Sequence, residues 1–203
     1  MKKYLLSLLT IIAVCSCTGS PRQTSVSFDD VVASRRSIRS FDASKSISEA
    51  QIRTLIATAQ EAPSWTNSQP SRYYVAFSKE KADAVREVIG EWNKKNTEGA
   101  PVFIVSTYVT NLSGFRKGGE PANEVGNGWG AYDNGLSDAH LILKAREMGF
   151  DTLIMGGRDA TAIRSIFNIP ESETIMAVIA LGYRAADPQR PARKPLDEIV
   201  TFF

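Results

Sequence analysis

The sequence predicts an α+β fold in which helices alternate with about four strands. Two apolar runs rich in β-branched residues, PVFIVSTYV (101–109) and TIMAVIALG (174–182), are typical of strands buried on both faces. Elsewhere, apolar residues recur at intervals of three and four, as they do on one side of an amphipathic helix. The chain of 203 residues is long enough for a sizeable core, and from about residue 26 onward it shows no internal repeat and no second domain.

The first two helices are predicted from their ends. FDDVVAS (28–34) predicts a short helix, and SEAQ (48–51) is a capping box that opens a second one. Pro63 is expected to end the second helix. The apolar stripe of that helix consists of Ile52, Leu55, Ile56 and Ala59.

The remaining elements follow the same two patterns. They are a strand over 72–78, a helix over 80–95 with Trp92 on its apolar stripe, a helix over 135–149, a strand over 151–157 and a helix capped by Asp159. Gly149 is the expected C-terminal cap of the helix over 135–149. Asp133 is expected at the start of this helix and Asp138 on its exposed face. Its broad apolar surface predicts contact with a second copy of the chain.

A glycine-rich segment, NLSGFRKGGEPANEVGNGWGA (111–131), precedes that helix. Its six glycines are too many for a core element, and long loops in compact domains are often functional lids. Phe115, Trp129 and Tyr132 lie in it or beside it. We expect these aromatic residues either to form a substrate-binding wall or to pack in the core or a dimer interface.

The N-terminus predicts an export signal. Two lysines precede an apolar run of about ten residues, which is too short to span a bilayer, since a span requires about 20 residues. The run ends in VCSC (14–17), which resembles a bacterial lipoprotein cleavage site. Cys17 is the expected lipidated residue, because Ser16 suits the position before cleavage. Ordinary secretion, with cleavage nearby, is the alternative.

We therefore expect residues 1–17 to be a lipoprotein-type signal, 18–26 a polar tether and 27–203 one folded domain. The expected location is exported and membrane-anchored, on the periplasmic or outer-membrane side. Contact with the membrane is expected only through the lipid anchor.

Charge and cysteine content exclude several functions for the folded part. Lys2 and Lys3 account for the formal net charge of +2, so that the remaining 22 Lys and Arg residues balance 22 Asp and Glu residues. A near-neutral domain is not typical of a general nucleic-acid binder. Cys15 and Cys17 both lie in the signal, which excludes disulfides, thiol catalysis and cysteine-based zinc sites from the rest of the chain. No metal site is predicted.

Three separated segments carry unusual polar chemistry. SRRSIRSF (34–41) supplies guanidiniums that can bind phosphate, although arginines at a helix end can simply complement its dipole. APSWTNSQP (62–70) holds hydroxyls and amides between two prolines, either as a rigid binding loop or as a polar turn. MGGRD (155–159) either lets a flat ligand approach the backbone or forms a tight turn. Together they predict a ligand with a phosphate at one end and a planar hydrogen-bonding ring at the other, and FMN meets both requirements.

In this order, the motifs resemble those of the nitroreductase family of FMN-dependent oxidoreductases. The resemblance runs from about residue 28 to residue 203. It also includes YDNGLSDAHLILKAREMGFDTLIMGG (132–157) and LGYR (181–184) followed by RPARKPLDEIV (190–200). The resemblance implies a nitroreductase-like α/β sandwich, with a mixed, mostly antiparallel sheet flanked by helices. It further implies an obligate homodimer with two FMN sites at the interface.

The resemblance also assigns contacts with FMN. Arg35 and Ser37 are the implied contacts with the phosphate and ribityl chain, with Arg36 beside them, and Arg193 is a further phosphate contact. The implied contacts with the ring are Arg39 at the pyrimidine edge, Asn67 and Gln69, and the backbone of Gly156 and Gly157 at the central ring. Two departures from the family pattern stand out. Some members carry Glu at the position of Gly156, where it shapes the nicotinamide site. Pro191 replaces a second basic residue of the tail, for which Lys194 could compensate.

The implied reaction is a ping-pong transfer of reducing equivalents. A donor such as NAD(P)H reduces FMN, which then reduces a nitroaromatic, quinone or similar conjugated acceptor. The chemistry requires no nucleophile or general base, so we assign no catalytic side chain. Reduced nicotinamides are cytoplasmic, which conflicts with export. Two alternatives stay open: a lipid-anchored flavin-binding protein without turnover, and a flavin-dependent dehalogenase or cleavage enzyme that would use the charged lid residues Arg116, Lys117, Glu120 and Glu124.

Overall fold

A four-stranded sheet separates two layers of helices. The structure, a computed structural model, describes residues 26–203, so the predicted signal with Cys17 and nearly all of the predicted tether lie outside it. The strands are β1 (Ser71–Ala76), β2 (Val102–Val109), β3 (Asp151–Met155) and β4 (Glu173–Gly182). Their order is β1-β2-β4-β3, and every neighbouring pair is antiparallel. Ser37 adds a parallel bridge to Thr152 beside β3. The predicted α+β class and mostly antiparallel sheet are confirmed.

Six α-helices flank the sheet within the described residues. They are α1 (Phe28–Ser34), α2 (Glu49–Gln60), α3 (Lys79–Glu87), α4 (Glu91–Asn96), α5 (Gly128–Glu147) and α6 (Ala160–Phe167). Helices α2 and α5 bury one face of the sheet, to which Ile104 of β2 points. Helices α3 and α6 bury the other face, to which Phe103 points. The first half of β2, Val102–Val105, is apolar throughout because its alternate residues enter two different cores. No described helix combines the length and apolar composition that a membrane crossing requires.

The predicted helix caps are present. The Ser48 hydroxyl accepts a hydrogen bond from the Gln51 N–H at 3.3 Å, and the Gln51 side chain accepts one from the Ser48 N–H at 2.8 Å. The Asp159 carboxylate likewise accepts the Ala162 N–H at 3.0 Å and so caps α6. These signals are local in sequence, which is why they could be identified from it.

Two predicted boundaries are wrong, and glycine explains both. The single helix expected over 80–95 is divided into α3 and α4 at Gly90, whose φ of 77° is left-handed. Helix α5 begins at Gly128, inside the segment that we expected to be loop. A Cβ atom at Gly130 would lie 2.5 Å from the ring of Tyr108. This glycine therefore allows α5 to pack closely on β2 and does not mark a loop.

The expectation that Asp138 lies on an exposed face is also wrong. Asp138 is 7% exposed, because α5 is packed between the sheet and α2. Its carboxylate accepts hydrogen bonds from the Ser106 hydroxyl at 2.8 Å and the Tyr73 hydroxyl at 3.2 Å. Burial raises the pKa of Asp138 to about 6. Burial and the neighbouring Asp138 carboxylate also raise the pKa of Tyr73.

Candidate functional site

Three guanidiniums form an electropositive cluster at the end of α1. Arg35 follows this helix, and its N–H donates to the Val31 carbonyl at 2.9 Å. Burial lowers the pKa of Arg35, and so do the positive charges of Arg193 and Arg190 from the C-terminal tail. In the described part of the chain, none of these three arginines has a carboxylate within 4.0 Å. Like charges held together without a counterion are typical of an anion site.

Neighbouring acidic residues hold this cluster in place and neutralise other arginines. The buried Asp151 carboxylate pairs with Arg184 at 2.5 Å and with Arg146 at 3.2 Å. Both arginines also bond Ser34, the residue before Arg35. Arg184 additionally pairs with Asp187 at the start of the tail. The ion pairs join α5, β3 and the tail, and the hydrogen bonds to Ser34 connect them to the end of α1.

Arg36 and Lys194 face different partners from those expected. The Arg36 Nη1 atom donates to the Pro188 carbonyl at 2.5 Å and lies 3.2 Å from the Asp187 carboxylate, so this side chain secures the tail. Lys194 lies 3.9 Å from Glu198. The second cation that the tail supplies beside Arg193 is therefore Arg190. Sequence reasoning missed Arg190, although it stands at the first position of RPARKPLDEIV.

Ser37 and Arg39 lie on one face of an extended segment along β3. The Ile38 N–H donates to the Thr152 carbonyl at 3.1 Å, and the Ile38 side chain is fully buried. Since successive side chains of an extended segment alternate, the exposed Ser37 and Arg39 both point away from the core. They are available to a ligand at the β3 edge.

Gly156 and Gly157 follow β3, and Gly157 lines a cleft of about 620 Å³. A Cβ at Gly156 would meet nothing within 4 Å, so the space in front of it is open. The Gly157 carbonyl accepts the Asn93 Nδ2 amide at 2.9 Å, and the Gly156 carbonyl accepts Arg158 Nη1 at 3.0 Å. Trp92, expected on an apolar stripe, is 74% exposed at this cleft, because the break at Gly90 reorients α4. Sequence reasoning did not identify Asn93 or Trp92 as site residues.

The amide loop (Ser64–Gln69) precedes β1 and has an unusual backbone. Thr66, Asn67 and Gln69 have φ values of 46°, 58° and 49°, a left-handed conformation that is unfavourable for residues with a Cβ atom. The Gln69 N–H donates to the Ser64 hydroxyl at 2.9 Å and so closes the loop. The Asn67 and Gln69 side chains are exposed. Such conformations cluster at binding sites, where the surrounding structure maintains them.

Two of the three aromatic residues of the predicted wall, Trp129 and Tyr132, lie beside the amide loop. The Trp129 ring centroid lies 4.7 Å from that of Trp65 and 5.8 Å from that of Tyr132. Tyr132 is 60% exposed and Phe115 is half-buried in a turn that bridges back to Pro121. Trp65 and Trp129 are half-buried, whereas Tyr132 faces the solvent. The charged lid side chains are all exposed: Arg116, Lys117, Glu120 and Glu124.

The predicted contacts fall into two groups on opposite edges of the sheet. Arg35, Ser37 and Gly156 lie at the β3 edge, whereas the amide loop leads into β1 at the other edge. Strands lie about 4.8 Å apart, so the four steps from β1 to the Ser37 segment span about 19 Å. One chain therefore does not bring the two groups together. Among the described residues, no group of three or more acidic, histidine or cysteine side chains could hold a metal ion.

Comparison with known proteins places this arrangement in one family. The sequence model of the nitroreductase family matches residues 32–108 and 80–183. The chain is 24% identical over 199 residues to a candidate NAD(P)H nitroreductase, YdgI of Bacillus subtilis, covering 85% of this chain and 95% of YdgI. In fold it is similar to a candidate nitroreductase in complex with FMN from Exiguobacterium sibiricum, with a TM-score of 0.78, 22% identity and coverage of 89% and 99% of the two chains. A candidate NAD(P)H:FMN oxidoreductase from Staphylococcus epidermidis gives a TM-score of 0.75 at 24% identity, over 91% of this chain and 100% of that one. Because the family model spans most of the chain, the chain belongs to the nitroreductase family.

Proposed function

We propose that this nitroreductase-family oxidoreductase binds FMN and transfers reducing equivalents from an NAD(P)H-like donor to a nitroaromatic, quinone or similar conjugated acceptor. The observation that carries the proposal is the cluster of Arg35, Arg190 and Arg193, which has no carboxylate partner among the described residues and includes Arg35, two positions before the exposed Ser37. Relatives with the same fold are described as binding FMN and using NAD(P)H, which supports both assignments.

The residues at the β3 edge fit the two ends of FMN. The three clustered guanidiniums would hold its phosphate, and Ser37 would donate to the ribityl phosphate region. The open edge at Gly156 would admit the flat ring, which supplies reversible hydride and electron transfer when bound. Arg39 presents a positive charge on the same exposed face, where it would favour a negatively charged ring and raise the reduction potential.

We infer that two copies of the chain complete each site. The amide loop with Asn67 and Gln69 leads into β1, and the four strand spacings from β1 to the Ser37 segment of the same chain amount to about 19 Å, so a second copy would have to supply the loop. The described tail also exposes large apolar side chains that a partner would cover: Leu196, Ile199, Phe202 and Phe203. Sedimentation equilibrium should therefore give a homodimer, and a monomer that retains FMN at full affinity would contradict the inference.

We propose further that the protein is exported and anchored through a lipid on Cys17. The proposal is supported by the sequence MKKYLLSLLTIIAVCSC alone. In cell fractions, Cys17→Ser should move the protein from the membrane to the soluble exported fraction. Unchanged membrane association of the variant would contradict the lipid anchor and leave the FMN assignment intact.

The deciding experiment uses protein made without residues 1–17. The protein is mixed with FMN, desalted and examined by absorbance, and we expect flavin bands at about 370 and 450 nm with one FMN per chain. Under anaerobic conditions NADH or NADPH should bleach the bands, and a quinone such as menadione should restore them. Protein that retains no FMN would contradict the proposal. Protein that retains FMN but is not bleached by any donor would favour a flavin-binding protein without turnover.

A further inference from the structure

The buried carboxylate of Asp133 joins three segments at the amide loop. Asp133 lies in the second turn of α5 and is 2% exposed. Its Oδ2 atom accepts hydrogen bonds from the Trp65 N–H at 2.9 Å and from the Ser113 hydroxyl at 2.7 Å. The Ser113 hydroxyl in turn lies 2.6 Å from that of Ser68. The amide loop is thus tied at its beginning and near its end to one carboxylate on α5.

These bonds fall on both sides of Thr66 and Asn67, two of the three left-handed residues. Trp65 directly precedes Thr66 and Asn67, and Ser68 directly precedes Gln69. Residues with a Cβ atom leave this conformation unless their neighbours hold it. Asp133 supplies that restraint through one direct bond and one bond mediated by Ser113.

Burying a carboxylate costs more folding free energy than a purely structural role would justify. Within the described residues, Asp133 forms no ion pair, and its bonding partners are neutral groups. A carboxylate is a stronger acceptor than a neutral oxygen, and here it holds two donors on one atom. These features suit a group that must fix a strained loop.

We propose that Asp133 is a positioning residue for the flavin ring. It holds the amides of Asn67 and Gln69 in the conformation that meets the ring, and through Ser113 it couples the amide loop to the lid segment that carries Phe115. The proposal rests on the proposed function, since it takes FMN as the ligand. It assigns Asp133 no contact with substrate or cofactor.

The test measures FMN and riboflavin affinity by fluorescence quenching, together with the reduction potential of bound FMN. Asp133→Ala should weaken FMN and riboflavin by the same factor, roughly 10- to 100-fold, because the change affects the ring and leaves the phosphate cluster intact. It should also shift the reduction potential and the visible spectrum. Asp133→Asn should stay within about threefold of the wild type, because its amide oxygen can accept both hydrogen bonds.

Ser113→Ala tests the coupling between the glycine-rich segment (111–131) and the amide loop. It keeps the bond between Asp133 and Trp65 but removes the link between Asp133 and Ser68. We expect the KM for the acceptor to rise by a larger factor than the FMN dissociation constant, with kcat nearly unchanged. If Asp133→Ala does not fold, this variant still tests the proposal, since equal KM values for variant and wild type would overturn it.

Asp138→Ala is the matched control, because Asp138 is a second buried carboxylate of α5 that does not contact the amide loop. The proposal is overturned if Asp133→Ala binds both flavins as the wild type does, or if Asp138→Ala weakens them equally. Wild-type protein that binds neither flavin would instead overturn the proposed function itself. The wild-type titration thus distinguishes the two failures.

Discussion

Arg190→Ala tests the phosphate site at a residue that sequence reasoning overlooked. The tail offers Lys194 as an equally plausible cation by charge alone. The positive charge of Arg190 contributes to lowering the pKa of Arg35, whereas Lys194 lies 3.9 Å from Glu198. Lys194→Ala is therefore a control with the same change of net charge, four residues away on the same tail.

The expected magnitude follows from the bond that would be lost. A hydrogen bond between a guanidinium and a phosphate contributes about 1.5–3 kcal/mol, which corresponds to a roughly 10- to 150-fold change in dissociation constant. We expect the lower half of that range, because Arg190 is exposed and partly screened by salt. The apoprotein should not lose stability, since the substitution removes a positive charge that lowers the pKa of Arg35.

The assay is titration of the apoprotein with FMN and with riboflavin at low and moderate salt. For Arg190→Ala the FMN dissociation constant should rise about tenfold or more. Riboflavin, which lacks the phosphate, should bind as it does to the wild type. Lys194→Ala should leave both dissociation constants unchanged. Equal losses for FMN and riboflavin, or equal losses for the two variants, would refute the assignment of Arg190.

Three further predictions concern charge and space elsewhere in the fold. The pKa of Asp138 is raised to about 6, so the fold prefers the protonated carboxyl, and the free energy of unfolding should fall as the pH rises from about 4 to 6. In urea unfolding, Asp138→Asn should therefore be more stable than the wild type by up to about 3 kcal/mol at pH 8 and equally stable at pH 4. A gain that is independent of pH would contradict this prediction. Asp151→Asn leaves the Arg146 guanidinium without a carboxylate partner and Arg184 with only the exposed Asp187, so urea unfolding should show a loss of about 3 kcal/mol, with weaker FMN binding because the Arg35 segment loosens. The space in front of Gly156 is open, so Gly156→Glu should keep the melting temperature and the FMN affinity while changing the KM for NADH. An unchanged KM would show that this position does not belong to the donor site.

Local signals made much of the fold predictable. The caps at Ser48 and Asp159 and the two β-branched runs depend on residues close in sequence, and the structure confirms them. The errors arose where tertiary contacts decide. Gly130 looked like part of a loop because the Tyr108 ring that it packs against lies 22 positions away in the chain. Asp138 looked exposed because its partners lie on strands that the sequence does not place next to α5.

The candidate site consists of the arginine cluster, which depends on charge, and the amide loop, which depends on backbone conformation. The sequence is informative about only the arginine cluster. Guanidiniums bind anions, so Arg35 could be predicted from its chemistry, whereas Arg193 was assigned through the resemblance to the nitroreductase family. Arg190 was identified only from the structure. The amide loop depends on backbone angles that no residue type in APSWTNSQP requires, and these are held by Asp133 from another part of the chain. The arginine cluster and the amide loop depend on different interactions at opposite edges of the sheet. A substitution that disrupts one of them should therefore leave the other intact. Variants of the arginine cluster should discriminate FMN from riboflavin, whereas variants of Asp133 should weaken both flavins alike.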